Sequence, residues 1–167
     1  MIDTNLPERY ARGWYVLGHR RNFLDKEPKT IPCFGEKLIV ERKDDTYKAN
    51  LNSKLLPVCE ENNLVFGWYD HEGLEPDYSI PVVEECYDEN WSDWGMEQYL
   101  INNNCRELID NMADRGHFGP VHGCPAVDFY NEAKGVHYIQ IMTGESEVLG
   151  GSLWSEAIYT GPAYMVT

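Results

Sequence analysis

Apolar residues first recur at short alternating spacing. Gly13 to Gly18 (GWYVLG) is aromatic and β-branched and predicts a strand. Lys37 to Arg42 (KLIVER) predicts a second strand, entered through a turn at Phe34-Gly35. Asp44-Asp45 predicts a hairpin turn and Thr46 to Ala49 the returning strand. Leu64 to Tyr69 (LVFGWY) predicts another, after a turn at Glu61-Asn62-Asn63. His71 to Glu85 is acidic, broken by Pro81, and predicts a connecting loop. Trp91 to Leu100 places aromatics at alternate and near-alternate positions and leads into a helix.

The period then changes. From about Asn103 to Phe118 the spacing predicts the main helix, stopped by Gly119 and Pro120. Asp128 to Lys134 shows no clear period. Gly135 to Thr143 (GVHYIQIMT) and Leu153 to Thr160 (LWSEAIYT) alternate and predict strands, with a turn over Gly144 to Gly151. Ala163 to Thr167 predicts a last strand. Mostly antiparallel strands with one main helix give an α+β fold.

Composition narrows the class. A length of 167 residues with 43% hydrophobic and 25% charged content suits one globular domain with a real core. The net charge of −14 argues against nucleic acid, which needs a basic face. The acidity suits solubility, or docking of a basic partner. The five cysteines stand apart, with no CxxC pair and no Cys-x-His, as expected for thiols in a reducing compartment. No apolar run approaches the roughly 18–20 residues of a membrane span, and MIDTNLPERYARGWYVLG lacks a signal-peptide core. A cytoplasmic protein is expected.

The candidate chemistry lies in NCRELIDNMADRGHFGPVHG, Asn104 to Gly123. On a continuous helix Asp110, Asp114 and His117 share one face at i, i+4 and i+7. A helix broken after His117 lets His122 converge with His117 on one ion. Asp114 can then accept a hydrogen bond from an imidazole and hold its tautomer. On spacing alone a capping histidine and a surface histidine remain the alternative. Trp14, Trp68, Trp91, Trp94 and Trp154 suit core or interface positions. His137 on its strand, Cys105 on the helix and the Gly150-Gly151 turn carry no evident chemistry.

RYARGWYVLGHRRNF, FGEKLIVERKDD, ENNLVFGWYDHEG, WSDW, NCRELIDNMADRGHFGPVHG and WSEAIYTGPAYMV resemble, in this order, the oxygenase component of Rieske non-haem iron oxygenases. Within that family the chain is most similar to the 3-ketosteroid 9α-monooxygenase and sterol-desaturase-like group. The resemblance implies a Rieske domain holding a [2Fe–2S] cluster on two Cys and two His, and a helix-grip (START-like) catalytic domain. It implies mononuclear Fe(II) on His117 and His122, with Asp114 as the bridging, electron-transfer aspartate and Asp110 beside the ligands. A separate reductase, a trimeric assembly, and O₂-dependent hydroxylation of a steroid nucleus or a related desaturation follow by the same resemblance.

Two departures from that pattern stand in the sequence. The family's cluster-binding hairpins belong between the strands matching Thr46–Ala49 and Leu64–Tyr69, where this chain has only a few residues. Cys59 and His71, eleven residues apart between them, make no Rieske pair. The family's third iron ligand, an Asp from a later helix, has no counterpart. Asp110, Asp128, Glu132 and Glu156 are the carboxylates at hand, and none is a family ligand. The expected organisation is a remnant antiparallel Rieske-type base (1–75) without cluster hairpins, followed by the N-terminal part of the catalytic domain (76–167). Such a shortened chain is expected to need a cluster-bearing subunit and a further ligand from elsewhere. A catalytically inactive accessory subunit and an incomplete gene product are the alternatives.

Overall fold

The computed structural model describes residues 10–25, 27–104, 106–146, 148 and 150–167. Cys105 therefore lies outside the described residues. The chain divides into two compact units between Glu97 and Gln98.

The first unit is built from strands β1 (Gly13–His19), β2 (Lys29–Cys33), β3 (Glu36–Lys43), β4 (Thr46–Leu51), β5 (Lys54–Leu56), β6 (Val58–Glu61) and β7 (Leu64–Tyr69). They form two antiparallel sheets, β2-β3-β4-β5 and β1-β7-β6. Two-residue turns drive this topology. Phe34-Gly35, Asp44-Asp45, Asn52-Ser53 and Asn62-Asn63 all have positive φ at both residues. Two left-handed residues in succession match the right-handed twist of the flanking strands, and Asn, Asp and Gly tolerate them best. Apolar side chains fill the core: Leu17, Phe23, Leu38, Val40, Ala49, Leu56 and Val65 are buried together. The middle strand β7 is buried over Leu64 to Trp68, so its pattern is a continuous apolar run. At Gly67 a Cβ would meet Leu17 Cδ1 at 3.1 Å, so the close strand approach there favours glycine.

Three strands escape the hydrophobic pattern. β2 contains Pro32, which is tolerated because β2 is an edge strand. β5 is three residues long, and β6 (VCEE) is half polar.

The loop after β7 is held onto the unit by a polar hub. Asn62, fully buried, donates from Nδ2 to the Pro81 carbonyl (2.8 Å) and accepts at Oδ1 from Val83 N–H (2.8 Å). Its own carbonyl accepts from Trp94 Nε1 (2.8 Å). Buried His19 accepts at Nδ1 from the backbone and Nε hydrogens of Arg21 (3.1 and 3.0 Å). Nε2 then carries the hydrogen and donates to Asp93 Oδ1 (3.0 Å). That bond holds the Asp93 carboxyl below its ordinary value, helped by Trp94 N–H and the Arg21 charge and opposed by desolvation. Trp14 and Trp68 pack edge to face beneath the loop, Trp14 Nε1 donating to the Tyr78 carbonyl (2.9 Å). The stretch 91–103 forms no strand, and Trp91 is exposed.

The second unit contains α1 (Arg106–Ala113), α2 (Phe118–His122) and strands β8 (Ala126–Lys134), β9 (His137–Ser146), β10 (Gly151–Thr160) and β11 (Tyr164–Val166). The strands form an antiparallel meander in the order β11-β10-β9-β8. Met112 and Ile109 of α1 pack on Tyr138, Ala157 and Tyr159 of the sheet. The structure corrects the single helix expected over 103–118: the chain forms two short helices, broken at Asp114. Gly119 and Pro120 do not end a helix. They lie in the first turn of α2, where the amide hydrogen that proline lacks has no helical partner anyway. β8 replaces the irregular stretch expected at 128–134. It is a largely exposed edge strand with polar residues on both faces, so no alternation marks it. β9 runs on to Ser146, beyond the expected turn at Gly144. Among the described residues no helix is long and apolar enough to cross a membrane.

Two predictions follow from the hub. Asn62→Gly preserves the turn backbone but removes both side-chain hydrogen bonds. It should cost about 1–3 kcal/mol in chemical denaturation, since two buried partners lose their bonds. A carboxyl depressed in the fold contributes stability above the ordinary value of 3.8, and that stability fades as pH falls through the lower folded value. Asp93→Asn should therefore flatten the stability loss measured as pH falls below 3.8.

Candidate metal site

The site depends on where α1 stops. Asp114 ends the helix by turning its carboxylate onto the following chain: Oδ1 accepts from Gly116 N–H at 2.7 Å. Short polar side chains that bond the backbone two residues ahead compete with helix propagation. Arg115 anchors the break, its guanidinium donating to the Ala126 and Val127 carbonyls (2.8 and 3.0 Å). His117 then precedes α2 and His122 ends it. The left-handed Gly123 (φ 62°) closes that short helix.

The two imidazoles come together, with ring centroids 5.1 Å apart and planes at 70°. His117 is largely buried, with 12% of its side chain exposed. Its Nδ1 lies 2.7 Å from the Asp114 carbonyl, which can only accept, so Nδ1 carries the hydrogen. Nε2 is left with its lone pair. Asn111 Nδ2 approaches that nitrogen at 3.5 Å, the outer limit of a hydrogen bond. The Asp114 carboxylate stands further off, Oδ2 3.6 Å from Nδ1. Phe118 packs against both histidine rings at a tilt and edge-on against Phe129 of β8. A cavity of about 320 Å³ opens beside His122, lined mainly by Phe118, Cys124, Met142, Leu153 and Ser155.

A glycine controls the approach of this segment to the sheet. A Cβ at Gly144 would lie 2.7 Å from the Pro125 carbonyl oxygen and 2.8 Å from Cys124 Sγ. Only glycine lets the chain leaving His122 settle this close to β9.

The donor set fits a metal in part. A neutral imidazole with Nδ1–H bound to a carbonyl and a free Nε2 is the usual state of a metal-ligating histidine. His117 and His122 could hold two positions. Among the described residues no group of three or more His, Cys, Asp or Glu side chains converges as a metal site. Asp110 pairs with Arg106 one turn back on α1 (Oδ2 to Nε, 3.5 Å). The early end of α1 puts Asn111 beside His117, a neighbour that continuous helical spacing concealed. Asp128 accepts from Thr143 Oγ1 (3.1 Å), while Glu132 and Glu156 stand on the sheet opposite Ile139 and Ile141. Cys59 lies within β6, its thiol pushed up to about 11 by burial, and His71 follows β7.

The 3-Ketosteroid 9alpha-hydroxylase C-terminal domain profile matches residues 67–167. The oxygenase component of 3-ketosteroid-9-alpha-monooxygenase from Mycolicibacterium smegmatis is 32% identical over 228 residues, covering 99% of this chain and 59% of the relative. The Mycobacterium tuberculosis counterpart is 31% identical with the same coverage. Cholesterol 7-desaturase nvd of Xenopus laevis is 36% identical over 69 residues, 41% of this chain and 15% of that protein. The crystal structure of dicamba monooxygenase bound to dicamba shares the fold, with a TM-score of 0.67 at 16% identity over 92% of this chain and 64% of that one. The chain thus spans 59% of the length of the two mycobacterial relatives. The alignments are longer than the chain, 228 residues against 167, so the relatives carry stretches without counterpart here.

Two outcomes test the geometry. Nitrogen-correlated NMR of the neutral imidazole should report His117 with hydrogen on Nδ1, and the same spectrum of an Nε2–H tautomer would contradict it. Gly144→Ala should displace Cys124 and Pro125, costing about 1–3 kcal/mol of stability as an overpacked position does, with shifted resonances for His122.

Proposed function

Because the chain belongs to the 3-ketosteroid 9α-hydroxylase family of Rieske-type oxygenases, we propose that its second unit is part of an oxygenase active site acting on a steroid nucleus. The observation that carries this is the paired imidazoles of His117 and His122, the first fixed in its tautomer by the Asp114 carbonyl. In this proposal both histidines ligate Fe(II), and Asp114 holds the bridging position between iron ligand and electron donor. The iron, when bound, supplies reductive activation of O₂. The protein's own residues do the rest. The Asp114 carbonyl keeps Nε2 of His117 available, and Gly123 and Gly144 set where His122 stands. The cavity beside it offers Phe118, Met142 and Leu153 to a flat apolar ring system.

A facial site needs a third oxygen donor. We assign it to a carboxylate outside the described residues, on a further segment or a partner chain. The reductase, the cluster-bearing subunit, the trimeric assembly and the helix-grip architecture of the catalytic part belong to the same proposal. So does the division into a base domain (1–75) and a catalytic part (76–167). The free thiols and the reductive chemistry suit a cytoplasmic location.

A second reading has its own observation. Two histidines without a third ligand among the described residues also suit a catalytically inactive relative serving as a structural subunit. Anaerobic titration with Fe(II), followed by metal analysis after desalting, separates the two. One iron per chain, lost in His117→Ala/His122→Ala, is expected for the oxygenase reading. Absence of iron in both proteins would leave the structural subunit. In either case the isolated chain with a reductase should not hydroxylate a 3-ketosteroid, and product formed without another protein would refute this.

A further inference from the structure

The family implies an iron–sulfur cluster, and the residues of the first unit do not fit one. A Rieske cluster needs two cysteines and two histidines brought together on loops. Here Thr46 to Tyr69 is spent almost entirely on strands. β4 turns into β5 through Asn52-Ser53 alone, and β6 into β7 through Asn62-Asn63 alone. Between β5 and β6 stands only Pro57, and there the chain steps from one sheet to the other. No segment remains that could carry a ligand pair.

The junction is nevertheless well made. Ala49 pairs with Leu56, Asn50 with Leu55 and Leu51 with Lys54. Asn50 Oδ1 accepts from Ser53 N–H at 2.8 Å and braces the turn. Leu56 is buried in the same core as Ala49 and Val65. The Pro57 carbonyl accepts from Trp68 N–H (2.8 Å), and Tyr47 Oη donates to Glu60 Oε2 (2.6 Å), tying β4 to β6 across the step. Three potential cluster donors of this unit, His19, Cys33 and Cys59, are committed elsewhere. His19 has both ring nitrogens hydrogen-bonded and is buried. Cys33 and Cys59 lie in separate sheets, their thiols raised to about 11 by burial.

We propose that the first unit is a finished, iron-free β module whose core and turns close without a cluster, so that its fold is independent of iron and sulfide. It is then a structural platform and not a redox domain.

The test uses the full chain. Protein made with and without added iron is assayed for acid-labile sulfide and visible absorbance, and amide exchange is followed in the presence of a chelator. We expect no sulfide, no cluster absorbance, and equal protection of the Ala49, Leu56 and Val65 amides in both preparations. Iron bound by the histidines of the second unit would register as iron without sulfide, so failure of this inference and of the oxygenase reading are distinguishable. Stoichiometric sulfide, or protection of β4 to β7 that appears only with iron, would overturn the proposal. A variant tests the junction itself. Ser53 sits at φ 69°, and Ser53→Gly should raise the unfolding midpoint by about 2–4 °C, since Asn-Gly is the favoured pair for this turn. An unchanged or lowered midpoint would mean that this hairpin is not the closure described.

Discussion

The placement of His117 hangs on the interruption at Asp114. The break falls before both histidines: His117 caps α2 and His122 ends it, so the two rings meet across that one short helix. By taking the Gly116 N–H on its own carboxylate, Asp114 ends α1 ahead of the histidines and leaves its carbonyl free for the His117 ring. One residue thus stops a helix, aims an imidazole and selects its tautomer. The segment beyond is seated by the absence of a side chain at Gly144.

The first unit rests on a different constraint, the pairing of consecutive left-handed residues at its turns. Those turns fix the register of the β2-to-β5 meander, and register decides which side chains reach the core. Asn62 adds a second duty to its turn role. Its buried amide satisfies the loop backbone at Pro81 and Val83, groups that would otherwise lie without partners.

Much of this was legible in the residues. Phe34-Gly35, Asp44-Asp45 and Asn62-Asn63 announced their turns through chemistry that tolerates positive φ, and the apolar run Leu64–Trp68 announced a strand buried on both faces. The strands without a contrast between faces stayed hidden: β8 is exposed on both, β5 is too short to show a period, and β2 carries Pro32. At the site, DxxHx4H pointed to the paired histidines. It could not show that Asn111 stands beside His117, because that depends on the early end of the helix. The role of Gly144 was equally silent, since a glycine's close contacts belong to distant residues.

The order of strand pairing has a consequence for how the first unit comes together. β2 to β5 are joined neighbour to neighbour by two-residue turns, and such local hairpins form on the microsecond scale. β1 behaves differently, because its partner is β7, with Gly13 opposite Tyr69. Closing that long loop has an entropic cost that grows with the logarithm of its length. Non-local pairing of this kind sets the folding rate of small β domains. The two-residue junctions therefore do more than close the sheet. By keeping the chain between β1 and β7 short, they shorten the slowest search this unit has to make.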